Sequence, residues 1–293
     1  MSQKPLRVLL TGGLGNQLFQ TAAALHFEKL TNRRTVLVRD ANSFTKYNHG
    51  SQVEKLITDL RLERKEEIAN LLLRLDRRLV RGSHIYADLR RIQVHEDLGF
   101  NSDFILKKNT NELRGYFQSF VYAESLREIY QNSISSYLKK LTFSIDPKVL
   151  STTGHVSLHM RRGDYESLKT TFGLLDFQYY ENALEELNAH QEIKEIWVFS
   201  DDVSKASTIL KRSRFLKFMN FQIASSLGEI DSLAAMSLCS RHIIANSTFS
   251  WWGAFLSDGQ NRVVAPDKWF RNGDDPYKLI PNNWTRIGSK WEL

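Results

Sequence analysis

Two adjacent arginines, followed by a glycine and an aspartate, form a group of residues whose types suit the binding of an anion. Arg161, Arg162, Gly163 and Asp164 come directly after residues 155–160, where apolar and polar side chains alternate as in a strand. Each guanidinium is a planar fork of donors that matches two phosphate oxygens, and the glycine permits a sharp turn. This strand end is therefore predicted to bind a phosphate group. Arginines paired with nearby carboxylates are the alternative that the stretch alone leaves open.

Two further polar clusters also follow apolar runs. Ser200, Asp201 and Asp202 come after the run at 196–199, and the other cluster, after 241–245, is Asn246, Ser247, Thr248, Phe249 and Ser250. Ligands of open parallel sheets bind beyond the carboxyl ends of the strands, so the three clusters are predicted to form one site. Ser and Thr cap helices, and a helix start offers N–H groups to phosphate. Together with the arginines, this predicts a diphosphate site.

Three carboxylates are candidates to recognise the rest of a nucleotide. Asp201, Asp202 and Asp231 can accept hydrogen bonds from guanine N1–H and N2–H₂ or from ribose. Asp231 has an alternative role as the N-cap of a helix that runs to Leu238. A metal held by Asp201 and Asp202 is disfavoured, because neighbouring side chains of a strand point to opposite faces. No cluster has the spacing of a zinc site, and we expect no metal.

A glycine-rich turn follows the first apolar run, Leu6–Leu10. The turn contains Gly12, Gly13, Leu14, Gly15, Asn16 and Gln17. A helical pattern and a second strand at 35–39 come next, which predicts a parallel βαβ unit. The third glycine of a dinucleotide fingerprint is missing, because Leu18 stands there; Asp40 is a weak candidate for a ribose. The amides of Asn16 and Gln17 can bind a sugar or a phosphate, or cap the helix.

The elements that must position these residues alternate between strands and helices. Strands are predicted at 111–117, 155–160, 196–199, 215–221, 241–245 and 262–265, and helices at 177–190, 231–238 and from 251. This alternation predicts an α/β fold with a doubly wound parallel sheet. A chain of 293 residues is long for a single core. Turn signals near 142–154 divide it into predicted domains at 1–148 and 149–293.

The composition favours anionic partners. The net charge is +7, and residues 61–91 hold nine Lys or Arg against five Asp or Glu. A predicted helix at 71–81 is either a solvated basic face or a surface that contacts anionic lipid. The single cysteine, Cys239, lies in an apolar run, which predicts a buried thiol and a reducing compartment. Without a long apolar segment, we expect a cytoplasmic protein, with attachment to the inner face of the membrane as an alternative.

Three segments resemble the α-1,2-fucosyltransferases of glycosyltransferase family 11: residues 12–20, 159–165 and 243–254. The resemblance implies a GT-B architecture of two Rossmann-like domains with the active site in the cleft. It implies GDP-β-L-fucose as donor, a terminal galactoside as acceptor, inversion at the anomeric carbon and no required metal or other cofactor. It further implies a bacterial enzyme that builds cell-surface polysaccharide, such as O antigen, on an oligosaccharide or lipid-linked glycan.

The resemblance also assigns roles to residues. Arg161 is expected to hold the β-phosphate, with His159 beside the guanosine and Asn16 facing the fucose or the acceptor. Thr248, Phe249 and Ser250 are expected to line the diphosphate and base. Asp164 is a candidate base for the acceptor hydroxyl, with a structural bond to a turn N–H as the alternative. The remaining expected substrate-binding residues are Gly13, Leu14, Gly15, Gln17, Arg162, Ser200, Asp201, Asp202, Asp231, Asn246, Ser247 and Trp252.

Three alternatives compete with this function. A GDP-fucose transferase that forms another linkage fits the same donor-binding motifs. A basic nucleic-acid-binding protein is disfavoured, because the Trp and Phe residues cluster in one motif instead of alternating with Lys and Arg. A nicotinamide oxidoreductase is disfavoured by the missing third glycine.

Overall fold

The computed structural model describes residues 4–40, 53–56, 62–65, 91–138, 146–215, 220–224, 227–257 and 262–292. The chain forms two compact units: Met1–Ser133 with Pro276–Leu279, and Ile134–Asp275 with Ile280–Leu293. This division by compactness does not test where independently folding domains begin, so the predicted domains, 1–148 and 149–293, stay predictions. The predicted basic helix at 71–81 lies outside the described residues.

The first unit is built on a five-stranded parallel sheet. Its strands are β1 (Leu6–Leu10), β2 (Thr35–Asp40), β3 (Leu62–Lys65), β4 (Ile92–Val94) and β5 (Glu112–Arg114), and its helices are α1 (Leu14–Thr31), α2 (Val53–Leu56) and the first part of α3 (Phe120–Leu138). The strand order is β3-β2-β1-β5-β4. The parallel pairing of β1 with β2 across α1 confirms the predicted βαβ unit.

The second unit is built on a six-stranded parallel sheet. Its strands are β6 (His155–Met160), β7 (Glu195–Ser200), β8 (Asn220–Ile223), β9 (Arg241–Ile243), β10 (Arg262–Pro266) and β11 (Thr285–Ile287). Its complete helices are α4 (Pro147–Leu150), α5 (Phe177–His190), α6 (Val203–Leu210), α7 (Glu229–Leu238) and α8 (Thr248–Phe255), with a 3₁₀ turn at Asp164–Leu168. The order β11-β10-β9-β6-β7-β8 places β6 between β9 and β7.

Period-two alternation sets the two faces of the second sheet. Val156, Leu158 and Met160 of β6 are fully buried in one core cluster, which also contains the apolar side of α5. A second cluster holds Trp197 and Phe199 of β7 together with apolar residues of α7. Within this cluster burial raises the pKa of the Cys239 thiol far above its usual value, which confirms the predicted buried, unreactive cysteine.

One predicted strand was wrong in its position. The strand expected at 215–221 is β8, Asn220–Ile223, and Phe215 lies in a turn after α6. Polar contacts hold that turn: the buried Ser213 hydroxyl donates to Glu181 at 2.6 Å, and Arg214 pairs with the Glu181 carboxylate at 3.1 Å. A tertiary contact with α5 therefore overrides the local strand preference of this segment.

In the part of the chain that the structure describes, no helix has the length and apolar character needed to cross a membrane.

Candidate functional site

The three predicted polar clusters lie at one edge of the second sheet. Strand β6 pairs in parallel with β7 on one side and with β9 on the other, so the loops that follow these strands leave from the same edge. Residues 161–164 follow β6, residues 201–202 follow β7, and residues 244–247 lead from β9 into α8. The topology therefore brings together clusters that lie far apart in the sequence; Arg162 and Asp201, for example, are 39 positions apart.

Two carboxylates hold the Arg161 guanidinium at this edge. Its Nη2 lies 2.6 Å from Oδ1 of Asp164, and its Nη1 lies 3.0 Å from Oδ2 of Asp201. The guanidinium carbon lies 5.4 Å from the centroid of the Tyr165 ring. The side chain keeps 25% of its surface exposed, so one oriented cation faces outward among acidic partners. Such a cation is suited to an incoming phosphate, whose oxygens can replace carboxylate oxygens.

Asp201 holds the backbone and one side chain of the arginine loop, residues 161–164. Its Oδ1 accepts a hydrogen bond of 2.7 Å from the backbone N–H of Arg162, while its Oδ2 pairs with Arg161. A Cβ placed on Gly163 would lie 2.6 Å from Oδ2 of Asp201, so a larger residue here would displace the Asp201 carboxylate. Both oxygens of Asp201 are engaged within the protein. These contacts support a role in shaping the loop, and the predicted bond to guanine or ribose stays a prediction.

Arg162 points away from the exposed side of the loop. Its side chain is 1% exposed, and its guanidinium bonds Oε1 of Glu292 at 2.5 Å and the carbonyl oxygen of Leu175 at 2.7 Å. Adjacent residues of an extended segment direct their side chains to opposite faces, which separates Arg162 from Arg161. The predicted direct contact of Arg162 with substrate is therefore corrected to a buried, structural position.

Ser200 and Asp202 are used by the start of α6. Asp202 is the N-cap of this helix and accepts a hydrogen bond of 3.0 Å from the backbone N–H of Lys205. The Ser200 hydroxyl donates to the carbonyl oxygen of Asp202 at 3.2 Å. Both residues are only half-buried, so their predicted substrate contacts stay predictions. Among the described residues, no group of three or more His, Cys, Asp or Glu side chains could hold a metal ion.

The third cluster divides into a buried part and a half-buried part. The Asn246 amide donates to the carbonyl oxygens of Phe172 at 2.9 Å and of Trp269 at 3.1 Å, which ties two loops together. Ser247, Ser250 and Trp252 are buried as well. Thr248 and Phe249, in the first turn of α8, keep exposed surface. The N-cap residue Ser247 makes no side-chain capping bond to this helix start.

Gly253 lets α8 approach α7. A Cβ on this glycine would lie 2.9 Å from the Cβ of Met236, so a larger residue would push the two helices apart. Trp251 stacks on Phe255 with ring centroids 4.5 Å apart, and Trp252 is fully buried. The paired tryptophans thus position the start of α8 through packing, and a direct contact of Trp252 with substrate is not supported.

His159 lies beneath the site as a neutral imidazole. It is 3% exposed, and its ring centroid lies 5.6 Å from that of Phe249. Burial lowers its pKa to about 3; the Asp201 charge opposes this shift, and the Arg161 charge adds to it. Its buried Nδ1 has no hydrogen-bond partner among the residues that the structure describes. Because the ring stays neutral at physiological pH, it can position a ligand through its single N–H but lacks the acidic proton of an imidazolium.

Buried histidines make the stability of the protein depend on pH. Burial lowers the pKa of His159 and of His242 from 6.5 to about 3. Between these values the unfolded chain binds more protons than the folded one, so the free energy of unfolding should fall as pH drops from 6.5 towards 3. Each histidine should contribute a slope of up to ~1.4 kcal/mol per pH unit.

Urea unfolding at a series of pH values measures this slope. In the His242→Asn variant, which retains a polar partner for the Ser157 hydroxyl now 2.7 Å from Nδ1, the slope should be smaller. The same substitution at the exposed His190 is the control and should leave the slope unchanged. A His242→Asn slope equal to that of the wild type would show that His242 is not held neutral.

Asp231 is the third residue of α7. The helix begins at Glu229 with Gly228 as its N-cap, so the alternative that made Asp231 the cap is wrong. Its side chain is half-buried. Its contact with guanine stays a prediction.

In the first unit, amides fix the glycine turn before α1. Gly12 has φ +75°, and a Cβ there would lie 2.7 Å from Nδ2 of Asn16. The Gln17 amide donates to the carbonyl oxygen of Gly12 at 3.0 Å, and Gln118 donates to Oδ1 of Asn16 at 3.0 Å. The N-cap Gly13 has no side chain to cap the helix start, and Leu14 and Gly15 are buried. The turn thus presents the partly exposed Asn16 as its polar group.

Sequence reasoning missed several residues that shape these loops. Gln20 accepts from the backbone N–H of Thr11 at 2.8 Å and donates to the carbonyl oxygen of Gly115 at 3.1 Å, which joins the turn to the end of β5. Gln118 and Glu292 stand far from the motifs in sequence, and no local pattern marks them. Tyr165 lies within a quoted motif, and burial raises the pKa of its hydroxyl to about 12, so it stays neutral while donating to the carbonyl oxygen of Asn246.

The chain is similar to known proteins along most of its length. The family model described as Glycosyl transferase family 11 matches residues 88–286. An O-antigen biosynthesis glycosyltransferase of Escherichia coli, WbnK, is 30% identical over 302 residues, which cover 95% of this chain and 99% of that protein. An alpha-1,2-colitosyltransferase of Escherichia coli is 31% identical, with 95% of this chain and 97% of that protein covered.

Solved structures share the fold at low sequence identity. A glycosyl transferase family 9 protein from Veillonella parvula has a TM-score of 0.50 at 10% identity, covering 100% of this chain and 89% of that one. The NodZ alpha-1,6-fucosyltransferase soaked with GDP-fucose has a TM-score of 0.50 at 13% identity, covering 90% and 96%. Together with the two parallel sheets, these neighbours confirm the predicted α/β fold class of GT-B type.

Proposed function

Since the chain belongs to glycosyltransferase family 11, we propose that it transfers L-fucose from GDP-β-L-fucose to the 2-hydroxyl of a terminal galactoside, with inversion at the anomeric carbon. The observation that carries this proposal is the oriented, partly exposed Arg161 between Asp164 and Asp201 at the carboxyl edge of the second sheet. The acceptor is a precursor of a cell-surface glycan, either an oligosaccharide or a lipid-linked glycan. The alternative within enzymes is a GDP-fucose transferase that forms a different linkage.

Cleavage of the sugar–phosphate bond develops negative charge on the leaving diphosphate. A guanidinium fork donates two hydrogen bonds to phosphate oxygens, and the N–H groups at the start of α8 add a positive dipole end. Both are held in place before the reaction, so they stabilise the transition state with little reorganisation. His159, neutral and beside Phe249, supports the base or ribose, and Thr248 supplies a hydroxyl at the helix start.

Inversion requires the acceptor hydroxyl to attack from the face opposite the diphosphate and to lose its proton. Asp164 stays the candidate base, although the contact it makes in this structure is the 2.6 Å pair with Arg161. A phosphate that takes over Arg161 would release this carboxylate, which links donor binding to the appearance of a free base. Asn16, at the glycine turn of the first unit, is the proposed contact to the fucose or the acceptor.

A related donor is the second candidate, favoured by the 31% identity to an alpha-1,2-colitosyltransferase. Colitose is fucose without its 3-hydroxyl. A site with a buried hydrogen-bonding partner for that hydroxyl rejects the deoxy sugar by about 10⁴-fold, whereas a site shaped for the deoxy sugar rejects the hydroxyl weakly. The kcat/KM values for the two GDP-sugars therefore distinguish the candidates.

The experiment that tests the proposed function is a transfer assay with GDP-fucose and an array of galactose-terminated acceptors, with the product linkage determined by NMR. A product fucosylated at the galactose 2-hydroxyl supports the proposal. Fucose on another hydroxyl gives the linkage alternative. Binding of single-stranded DNA or NAD, with no thermal shift on addition of GDP, would replace the enzyme proposal by one of the disfavoured classes.

Activity should survive an excess of EDTA. The charge of the leaving group is assigned to Arg161 and the start of α8, which do the work of the divalent ion that other transferases use. The assay is initial velocity with GDP-fucose before and after chelation, with Mg²⁺ or Mn²⁺ added back as the control. Complete loss of activity with EDTA and recovery with either ion would move the role to a metal held near Asp201 and Asp202.

A further inference from the structure

We propose that Glu292 is a positioning residue, which sets the place of the Arg161 guanidinium through its ion pair with the buried Arg162. The inference rests on the proposed function, because it takes Arg161 as the ligand of the diphosphate. Arg162 and Arg161 are consecutive in the loop, so a shift of the Arg162 backbone moves the guanidinium that meets the leaving group.

Arg162 is anchored at both ends. Its backbone N–H donates to Asp201, and its guanidinium reaches Glu292 and the carbonyl oxygen of Leu175. With 1% of its side chain exposed, it cannot exchange these partners for water. Glu292 is the carboxylate that pairs with this buried cation among the described residues, so the loop depends on a residue 130 positions away in sequence.

The segment that carries Glu292 is itself fixed. The Glu292 backbone N–H donates to the carbonyl oxygen of Leu174 at 2.8 Å, and its carbonyl oxygen accepts from Arg271 at 2.8 Å. Trp291 forms an antiparallel bridge with Leu175. Gly173, at φ +78°, makes room for the Trp291 ring, because a Cβ there would lie 2.4 Å from Cε3. Hydrogen bonds of both its N–H and its carbonyl oxygen therefore fix the Glu292 backbone, and with it the position of the carboxylate that pairs with Arg162.

These contacts hold the loop at residues 161–164. We call the three residues that make them, Asp201, Arg162 and Glu292, the clamp. Asp201 contacts Arg161 directly and holds the Arg162 backbone, while Glu292 holds the Arg162 side chain from the opposite face. Removing the Glu292 charge leaves the buried Arg162 cation without the carboxylate that holds its side chain. The Arg162 backbone would then shift, and the neighbouring Arg161 would shift with it.

The Glu292→Gln variant tests the clamp. It should lower kcat between ~10- and ~100-fold, on the scale of a 1 Å misplacement of a catalytic group, with a smaller change in the KM for the donor. The KM changes less because Arg161 remains near the diphosphate in the ground state. Glu185→Gln is the matched control, since it removes an ion pair of 2.7 Å with Arg214 where both side chains are 60% exposed, and it should keep the wild-type kcat.

A double variant separates positioning from general stabilisation. Arg162→Met with Glu292→Met removes both charges, so no ion stays buried alone, and the stability lost in Glu292→Gln should largely return. Under the proposal kcat stays low in the double variant although the protein is stable. Recovery of kcat together with stability would show that the pair only supports the fold and would overturn the inference.

A crystal structure of Glu292→Gln gives a readout that does not depend on turnover. The Arg161 guanidinium should leave its place between Asp164 and Asp201. An unmoved Arg161 with full kcat overturns the inference while leaving the proposed function intact. If the wild-type protein neither binds GDP in calorimetry nor turns over a GDP-sugar, the proposed function is refuted instead. The position of Arg161 in the variant structure then tests the positioning role of Glu292 without an activity measurement.

Discussion

Replacement of Arg161 by alanine should leave the fold intact and lower turnover by at least ~100-fold, the cost of losing one preorganised donor to a developing anion. The guanidinium bridges Asp164 and Asp201, and both carboxylates stay 26–28% exposed, so water can solvate them when the cation is gone. The loss should therefore fall on kcat and not on stability. The measurement is kcat with GDP-fucose, with thermal unfolding of each variant alongside.

The Arg161→Lys variant keeps the positive charge at this position but removes the planar guanidinium. An ammonium is a point charge, which cannot bond two phosphate oxygens in one plane, so this variant should also lose most of its turnover. Arg214→Ala is the control, because it removes an arginine with two carboxylate partners that is 60% exposed and lies in the turn between α6 and β8, outside the three polar clusters. A Lys variant with near wild-type kcat would contradict the bidentate role of Arg161.

GDP should inhibit the enzyme far more strongly than ADP or UDP, and Asp231→Asn should narrow the difference. Guanine presents N1–H and N2–H₂ as two adjacent donors that one carboxylate accepts together, whereas adenine and uracil do not offer this pair of donors. Hydrogen bonds to a charged group are worth ~1.5–3 kcal/mol, so the Asn variant should bind GDP roughly 10- to 150-fold more weakly. Its affinity for ADP should hardly change.

The measurement is the inhibition constant of GDP, ADP and UDP for the wild type and two variants. The ratios of these constants express the preference for guanine. Glu229→Gln is the matched control, since Glu229 is an exposed acidic residue in the same first turn of α7 and has the same favourable interaction with the helix dipole. If Asp231→Asn keeps the wild-type ratios, Asp231 does not contact the base. Equal inhibition of the wild type by all three nucleotides would remove the GDP-sugar proposal itself.

The polar clusters show where the sequence was informative and where it was not. Their places at strand ends follow from hydrophobic periodicity, which is local, and parallel pairing then aligns those ends at one edge. The roles within each cluster are not local. Of the two arginines, Arg161 is partly exposed and Arg162 is buried against Glu292, a residue that no motif marks. Asp202 is of a type that suits a substrate contact, yet it is the N-cap of the following helix, and the Ser200 hydroxyl donates to its carbonyl oxygen.

The sequence by itself determined the fold class, the βαβ start, the order of strands and helices in the second unit and the family, because periodicity and long motifs are properties of neighbouring residues. The tertiary structure alone decided which side chains face outward. That choice depends on contacts across the chain, such as Arg162 with Glu292, Asn246 with Trp269 and Gln118 with Asn16. A buried polar group must find a partner wherever the fold supplies one, and that partner can stand more than a hundred residues away.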